Sequence, residues 1–202
     1  CISPWNLPLY LFTWKIAPAL ITGNTVIAKP SEITPYTAFK FSEICNEVGL
    51  PSGVLNIIHG EGAIVGDAIV SHNDLKAISF TGGTQTGIKI ANKTAASFKK
   101  MALEMGGKNP AIIFSDCDYD KMIKTVIKST FTNQGQICLC SSRILVEKTL
   151  YEKFKKDFIR KTSEIIIGDP KEKKVEFGAI SSKKHFDKIL NYIKVAKDEG
   201  GS

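Results

Sequence analysis

The 202-residue chain has no Cys-x-x-Cys pair, no Cys/His cluster and only three histidines, His59, His72 and His185, scattered along its length. Its cysteines number five, an odd count, so neither a disulfide framework nor a metal site is expected, and a reducing compartment, the cytoplasm, fits best. A thiol hydrolase needing a Cys-His pair ranks low, because each histidine reads as a surface or helix-end residue. Long apolar runs are missing too: Leu7 to Ala28 is broken by Lys15, Pro18 and Gly23-Asn24, so no membrane span is expected. No G-x-G-x-x-G follows any predicted strand. The Gly82 to Gly87 turn is not a Walker loop either, since Ile88-Lys89-Ile90 replaces the required continuation, and nucleotide hydrolysis is disfavoured.

What is present fits a globular α/β chain. Apolar content is 43%, enough for one substantial core or two small ones. The net charge of +7 is concentrated, because residues 148 to 202 carry 14 Lys/Arg against 9 Asp/Glu. These charges fall on amphipathic helices whose apolar stripes are Leu150, Phe154, Phe158 and Phe186, Ile189, Ile193, Ala196. A solvated basic face, and no nucleic-acid partner, is the expectation.

Strand-like runs at Thr25 to Ala28, Leu55 to Ile58, Ala77 to Phe80 and Lys99 to Leu103 alternate with helical stretches at Thr34 to Val48, Ala63 to Ser71 and Thr84 to Thr94. That alternation predicts an open parallel sheet. A second set follows: a strand at Ala111 to Phe114, a helix at Tyr119 to Phe131, a strand at Arg143 to Val146, and helices at Leu150 to Ser163 and Lys183 to Asp198. A domain boundary is placed near Gly106-Gly107. The chain opens on Cys1, its first residues read as the end of a strand, and it stops just after a helix, so it reads as an internal fragment that by itself folds poorly and is inactive.

The segment F-T-N-Q-G-Q-I-C-L-C-S, Phe131 to Ser141, places a thiol just after a glycine turn and 34 positions beyond Glu104. A thiolate in an exposed, electropositive pocket beside backbone N–H groups is a candidate nucleophile. Cys138 and Cys140 both qualify, since two positions along an extended segment point the same way. Cys45 and Cys117 read as packing thiols. L-E-M-G-G-K-N-P, Leu103 to Pro110, offers Glu104 as a general base. Gly82 and Gly87 follow the third strand and open a helix, where N–H groups and a helix N-terminus suit a pyrophosphate. Lys-Pro-Ser-Glu at 29 to 32 follows the first strand and reads as a helix start, with Ser31 or Thr34 as cap.

Together with P-W-N at Pro4 to Asn6, these motifs in this order resemble the NAD(P)-dependent aldehyde dehydrogenase superfamily over essentially the whole chain. Ile2 to Leu20, Gly106 to Phe114 and Ile137 to Ile144 look most like its 2-aminomuconic semialdehyde dehydrogenase branch, in tryptophan and kynurenine catabolism. The resemblance implies a Rossmann-type cofactor domain over residues 1 to 106, N-terminally truncated, and the first part of an α/β catalytic domain over 107 to 202. It implies Cys138 as nucleophile, Glu104 as the base for hydrolysis, and the Asn6 amide with the Cys138 N–H as oxyanion donors.

For the cofactor, the resemblance implies NAD held by Trp5, Lys29, Glu32, Gly62, Phe80, Thr81, Gly82, Gly83, Gly87 and Met105. Lys29 and Glu32 would hold the adenosine ribose, and a carboxylate at Glu32 disfavours a 2′-phosphate. The family commonly has Ser where Gly83 stands, so a hydroxyl contact is lost here while a backbone N–H remains. The implied partners are a small-molecule aldehyde and, at full length, further copies of the chain in a dimer or tetramer. The alternative is a non-catalytic structural or binding homologue of the same fold.

Overall fold

The computed structural model describes residues 1–201, and these form two compact units, Cys1–Gly106 and the chain from Gly107 onward. The first unit contains helix α1 (Pro8–Ile21), strand β1 (Val26–Ala28), helix α2 (Tyr36–Glu47), strand β2 (Leu55–Ile57), a π-helical turn (Gly62–Gly66) running into helix α3 (Asp67–Ser71), strand β3 (Ala77–Gly82), helix α4 (Thr84–Ala95) and strand β4 (Lys100–Met105).

All of its strand pairs are parallel. β1 pairs with β2 from Val26 opposite Leu55, and β3 pairs with β4 from Ala77 opposite Lys100. Ile2 joins the two pairs by bridging in parallel to both Lys29 and Phe80. Its N–H donates to Ser79 O at 2.8 Å and its carbonyl accepts from Thr81 N at 3.1 Å, while Lys29 N donates to Cys1 O at 2.8 Å. The order is therefore β2, β1, the Cys1–Ser3 segment, β3, β4, with the start of the chain at the centre.

Helices cover both faces of this sheet. Val26 and Ala28 point to Phe12 and Ile16 of α1 and Ala38 of α2, whereas Ile27 joins the opposite cluster of Ile2, Ile69, Val70, Ile78, Phe80 and Ile90 under α3 and α4. This is the alternation that strand geometry requires when both faces are buried.

Helix α1 has no counterpart among the expected elements, because Pro18 and Gly23 mask it. Pro8 opens it at the first helical position, and Phe12, Lys15 and Ile16 are its buried residues, at helical spacing. Gly23 and Asn24 close it by donating to Leu20 and Ala19 carbonyls, with Gly23 at φ 82°, a left-handed stop.

Helix α2 starts at Tyr36, later than expected, and neither Ser31 nor Thr34 caps it. Thr34 precedes Pro35, which pushes it out of helical geometry. Ser31 Oγ instead accepts from Ile33 N at 3.3 Å, and the Thr34 hydroxyl donates to Trp5 O at 3.4 Å.

The second unit holds strand β5 (Asn109–Ile113), helix α5 (Tyr119–Phe131), a tight turn (Thr132–Gly135), strand β6 (Ser141–Val146), helix α6 (Tyr151–Ser163) and helix α7 (Lys183–Asp198). β5 and β6 are parallel, and both begin earlier than the apolar pattern predicts. Their register slips at the start: Asn109 faces Ser141 and Pro110 faces Arg143, so Ser142 is skipped.

Ile113, Ile123, Val126 and Phe154 form this unit's core, with Phe154 stacked on Phe158 at 5.3 Å. Helix α5 is capped by Asp118, which accepts from Lys121 N, and α7 by Ser182, which accepts from His185 N, both at 3.2 Å. α7 has the expected apolar stripe, yet no residue of it is buried. Among the described residues no helix is long and apolar enough to cross a membrane.

Candidate active site

Because every strand of the first unit runs the same way, their carboxyl ends lie along one sheet edge, the edge where open α/β sheets bind ligands. That topology gathers Trp5 and Asn6 after the Ile2 segment, Lys29 and Glu32 after β1, Gly62 after β2, Phe80 to Gly83 at the end of β3, and Glu104 and Met105 at the end of β4. Trp5 and Asn6 are half-buried there, and the bond from Thr34 to Trp5 O ties their loop to the one after β1.

Lys29 is 2% exposed, a burial that a lysine tolerates only when its ammonium is paired. Its Nζ donates to Pro30 O at 2.9 Å and to Glu32 Oε2 at 3.2 Å. Burial raises the Glu32 carboxyl pKa, but hydrogen bonds from its own backbone, from Lys29 and from Gly62 outweigh that and hold it below the ordinary range. Lys29, Glu32 and Gly62 thus form one cluster whose carboxylate is about half exposed, with a side-chain accessibility of 48%.

At the end of β3, Gly83 caps α4, and Thr86 and Gly87 N–H both bond its carbonyl at 3.0 Å. The first-turn N–H groups beyond those two have no partner within the helix, and a Cβ built on Gly83 meets nothing within 4 Å, so an anion has room at this terminus. Gly87 has a different reason to be glycine. It is buried, and a Cβ on it would lie 2.5 Å from Met105 Sδ, so its bare backbone lets α4 sit against the end of β4. The Gly82 Cβ position is likewise taken by the Phe80 ring.

Glu104 is exposed and paired in register with Thr81. Lys15, which sequence reasoning passed over, enters its surroundings from α1. It is 9% exposed, its Nζ donates to Ser79 Oγ at 3.2 Å, and burial lowers its pKa while the Glu104 charge opposes that shift. The signal available was a lysine inside an apolar helical stripe, between Phe12 and Ile16.

In the second unit the thiol segment is a turn, not the extended run assumed from spacing. Cys140 N donates to Ile137 O at 3.0 Å, which places Cys138 at the first inner position of the turn. Such a turn separates the two thiols. Cys140 is 9% exposed and its Sγ lies 3.5 Å from Thr132 O, whereas Cys138 is only partly buried.

The approach to this turn is strained. Asn133, Gln134 and Gly135 have φ of 50°, 62° and 73°, three consecutive left-handed residues of which only the last is glycine. The Gln134 amide fastens the turn to Gly178 O at 2.5 Å and Ala179 O at 3.3 Å, and also accepts from Gln136. Asn109 Nδ2 donates to Cys138 O at 2.5 Å and to Cys140 O at 3.1 Å. A cavity of about 740 Å³ lies beside this region, lined by Phe131, Gln134, Ile165, Phe177, Ile180 and Phe186 among others.

Residues 1–202 match the family described as "Aldehyde dehydrogenase family". The chain belongs to the aldehyde dehydrogenase family. Among its curated relatives, the 2-aminomuconic semialdehyde dehydrogenases of Danio rerio and Homo sapiens are 52% and 51% identical over 199 residues, 98% of the chain. A betaine aldehyde dehydrogenase of Atriplex hortensis is 45% identical over 201 residues. Among solved structures, betaine aldehyde dehydrogenase from Staphylococcus aureus in complex with NAD+ superimposes with a TM-score of 0.96 at 42% identity, covering 98% of this chain and 40% of that one. The expected aldehyde dehydrogenase-like α/β fold is the one observed. The chain spans about 41% of the length of the two semialdehyde dehydrogenases.

Proposed function

We propose that the whole protein carrying this chain oxidises an aldehyde to its carboxylic acid with NAD, and that residues 1 to 106 form its NAD-binding domain and 107 to 202 part of its catalytic domain. The observation that supports this reading is the contrast at the thiol turn, where Cys138 is only partly buried and Cys140 is buried.

Cys138, as thiolate, attacks the aldehyde carbon. The Asn6 amide and the Cys138 N–H donate to the oxyanion of the resulting thiohemiacetal, an interaction typically worth about 3 kcal/mol per donor. NAD, when bound, takes up the hydride of that carbon, which leaves a thioester on Cys138. Glu104 then removes a proton from the water that attacks the thioester, releasing the acid and restoring the thiol.

The residues of the first unit fit this cofactor. Lys29 and Glu32 present a fixed cation and a half-exposed carboxylate that suit a ribose diol, and a 2′-phosphate would meet the Glu32 charge. Gly82 and Gly83, opening α4, suit the pyrophosphate, with Gly87 and Met105 behind them. Trp5, Gly62, Phe80 and Thr81 complete the edge.

For the substrate, identity to the 2-aminomuconic semialdehyde dehydrogenases supports 2-aminomuconic semialdehyde, a metabolite of tryptophan catabolism. Purified whole protein is expected to form NADH with that aldehyde or its 2-hydroxy analogue, and faster than with betaine aldehyde. Faster turnover of betaine aldehyde would sink the substrate assignment. Folded, NAD-binding protein inert toward every aldehyde tried would favour a non-catalytic homologue.

A further inference from the structure

Resting on the assignment of Cys138 as nucleophile, we propose that Asn109 is a positioning residue for the thiol turn, and that Gly107 is glycine to leave room for the Asn109 side chain.

Asn109 stands at the first residue of β5, its place fixed by pairing with Ser141 just before the register slips. From there one amide nitrogen reaches across 29 residues to Cys138 O at 2.5 Å and across 31 to Cys140 O at 3.1 Å. Both partners are carbonyl oxygens, so only the NH2 side of the amide can face them, and its two hydrogens match the two acceptors. These bonds fix the peptide planes that leave Cys138 and Cys140. The plane that enters Cys138, and carries the N–H assigned to the oxyanion, has its own carbonyl, Ile137 O, held by Cys140 N at 3.0 Å.

Three hydrogen bonds therefore hold the two peptide planes that flank Cys138 and the one that leaves Cys140, and Asn109 makes two of them. A preorganised donor and nucleophile are what this chemistry needs, since a misplacement of about 1 Å can cost roughly 100-fold in rate. Gly107 completes the arrangement: a Cβ there would lie 2.9 Å from Asn109 Oδ1, so a side chain would push the amide out of place.

The test uses the whole protein with Asn109→Asp, which removes both donors and sets a carboxylate against two carbonyls, and with Asn109→Ser, which keeps one shorter donor. Amide hydrogen exchange over residues 136 to 140 is read beside kcat and KM. Faster exchange in the turn, with kcat down roughly 10- to 100-fold and the KM for NAD within about twofold, is expected for Asn109→Asp. A smaller loss of the same kind is expected for Asn109→Ser and for Gly107→Ala.

Unchanged exchange in the folded variants overturns the clamp, and a kcat within about threefold of the parent overturns the positioning role. Should Asn109→Asp fail to fold, Asn109→Ser decides: parental exchange and kcat overturn the proposal. If the parent and Cys138→Ala are equally inert toward aldehydes, the nucleophile assignment fails and takes the positioning role with it. The exchange result then still tells whether Asn109 holds the turn.

Discussion

The two units use the same β-α-β grammar and finish it differently. In the first, α1 and α2 cover one sheet face and α3 and α4 the other, and the apolar residues of both faces lie in defined clusters. In the second, α5 and α6 cover one face of β5 and β6, burying Ile113 and packing Ile144 and Val146. The opposite face shows Ile112, Phe114 and Leu145 to solvent, and α7 presents Phe186, Leu190 and Tyr192. A strand segment carries two faces whatever the helix count, so a pair with helices on one side leaves half its apolar surface unused. The edge that gathers the candidate cofactor residues is therefore built within the first unit, while the second unit leaves apolar strand and helix surface exposed.

The sharpest way to break the comparison is at the thiols. In the whole protein, Cys138→Ala is expected to lower aldehyde-dependent NADH formation by at least about 10³-fold. Cys140→Ala, which removes a buried packing group, is expected to stay within roughly tenfold of the parent, at a stability cost of about 1 kcal/mol. The reverse ranking would move the nucleophile to Cys140.

Stability comes next. Phe12→Ala empties a site that is 1% exposed and is expected to cost about 3 to 5 kcal/mol in urea unfolding. Phe186→Ala, at 43% exposure, is expected to cost no more than about 0.5 kcal/mol in the same measurement. A Phe186 cost near that of Phe12 would show that α7 is buried in solution.

Smaller effects probe the Lys29–Glu32 pair. Glu32→Gln is expected to reduce the preference for NAD over NADP, read as the ratio of kcat/KM values, by roughly tenfold, the equivalent of about 1.4 kcal/mol. The pH effect is smaller still. The folded chain holds the Glu32 carboxyl below its ordinary value of 4.5, so the unfolded chain binds that proton more tightly. The stabilisation is thus fully present above about pH 4.5 and is lost as pH falls through the depressed value. With half the side chain exposed, it amounts to about 0 to 1 kcal/mol. Acid unfolding of Glu32→Gln beside the parent measures it, and equal acid midpoints would remove the pair from the ledger.

Much of this was legible in the sequence. Period-two and period-3.6 patterns located β1, β3, α4, α5, α6 and α7 to within a few residues, because the apolar positions that define them are neighbours along the chain. The motifs named the candidate site residues, and the parallel sheet brings those of the first unit to one edge. Helix α1 escaped notice because Pro18 and Gly23 look like breakers, although Pro18 lies within the helix and Gly23 just past its end. Ser31 and Thr34 look like caps in isolation, but Pro35 and the distant Trp5 carbonyl decide their bonds. Lys15 read as an interruption of an apolar run until Ser79, 64 residues away, appeared as its partner.

By itself, then, the sequence determined the alternation of elements, the family and the identity of the candidate thiol, carboxylate and amide, all of which are carried by local pattern and residue type. The tertiary structure alone decided that Ile2 lies between β1 and β3, that Cys140 is buried where Cys138 is not, that Gly87 makes room for Met105, and that Asn109 holds the thiol turn. Each of these rests on a contact between residues far apart in the chain. Such contacts form only once the sheet has set which segments are neighbours, and spacing along the sequence carries no record of them.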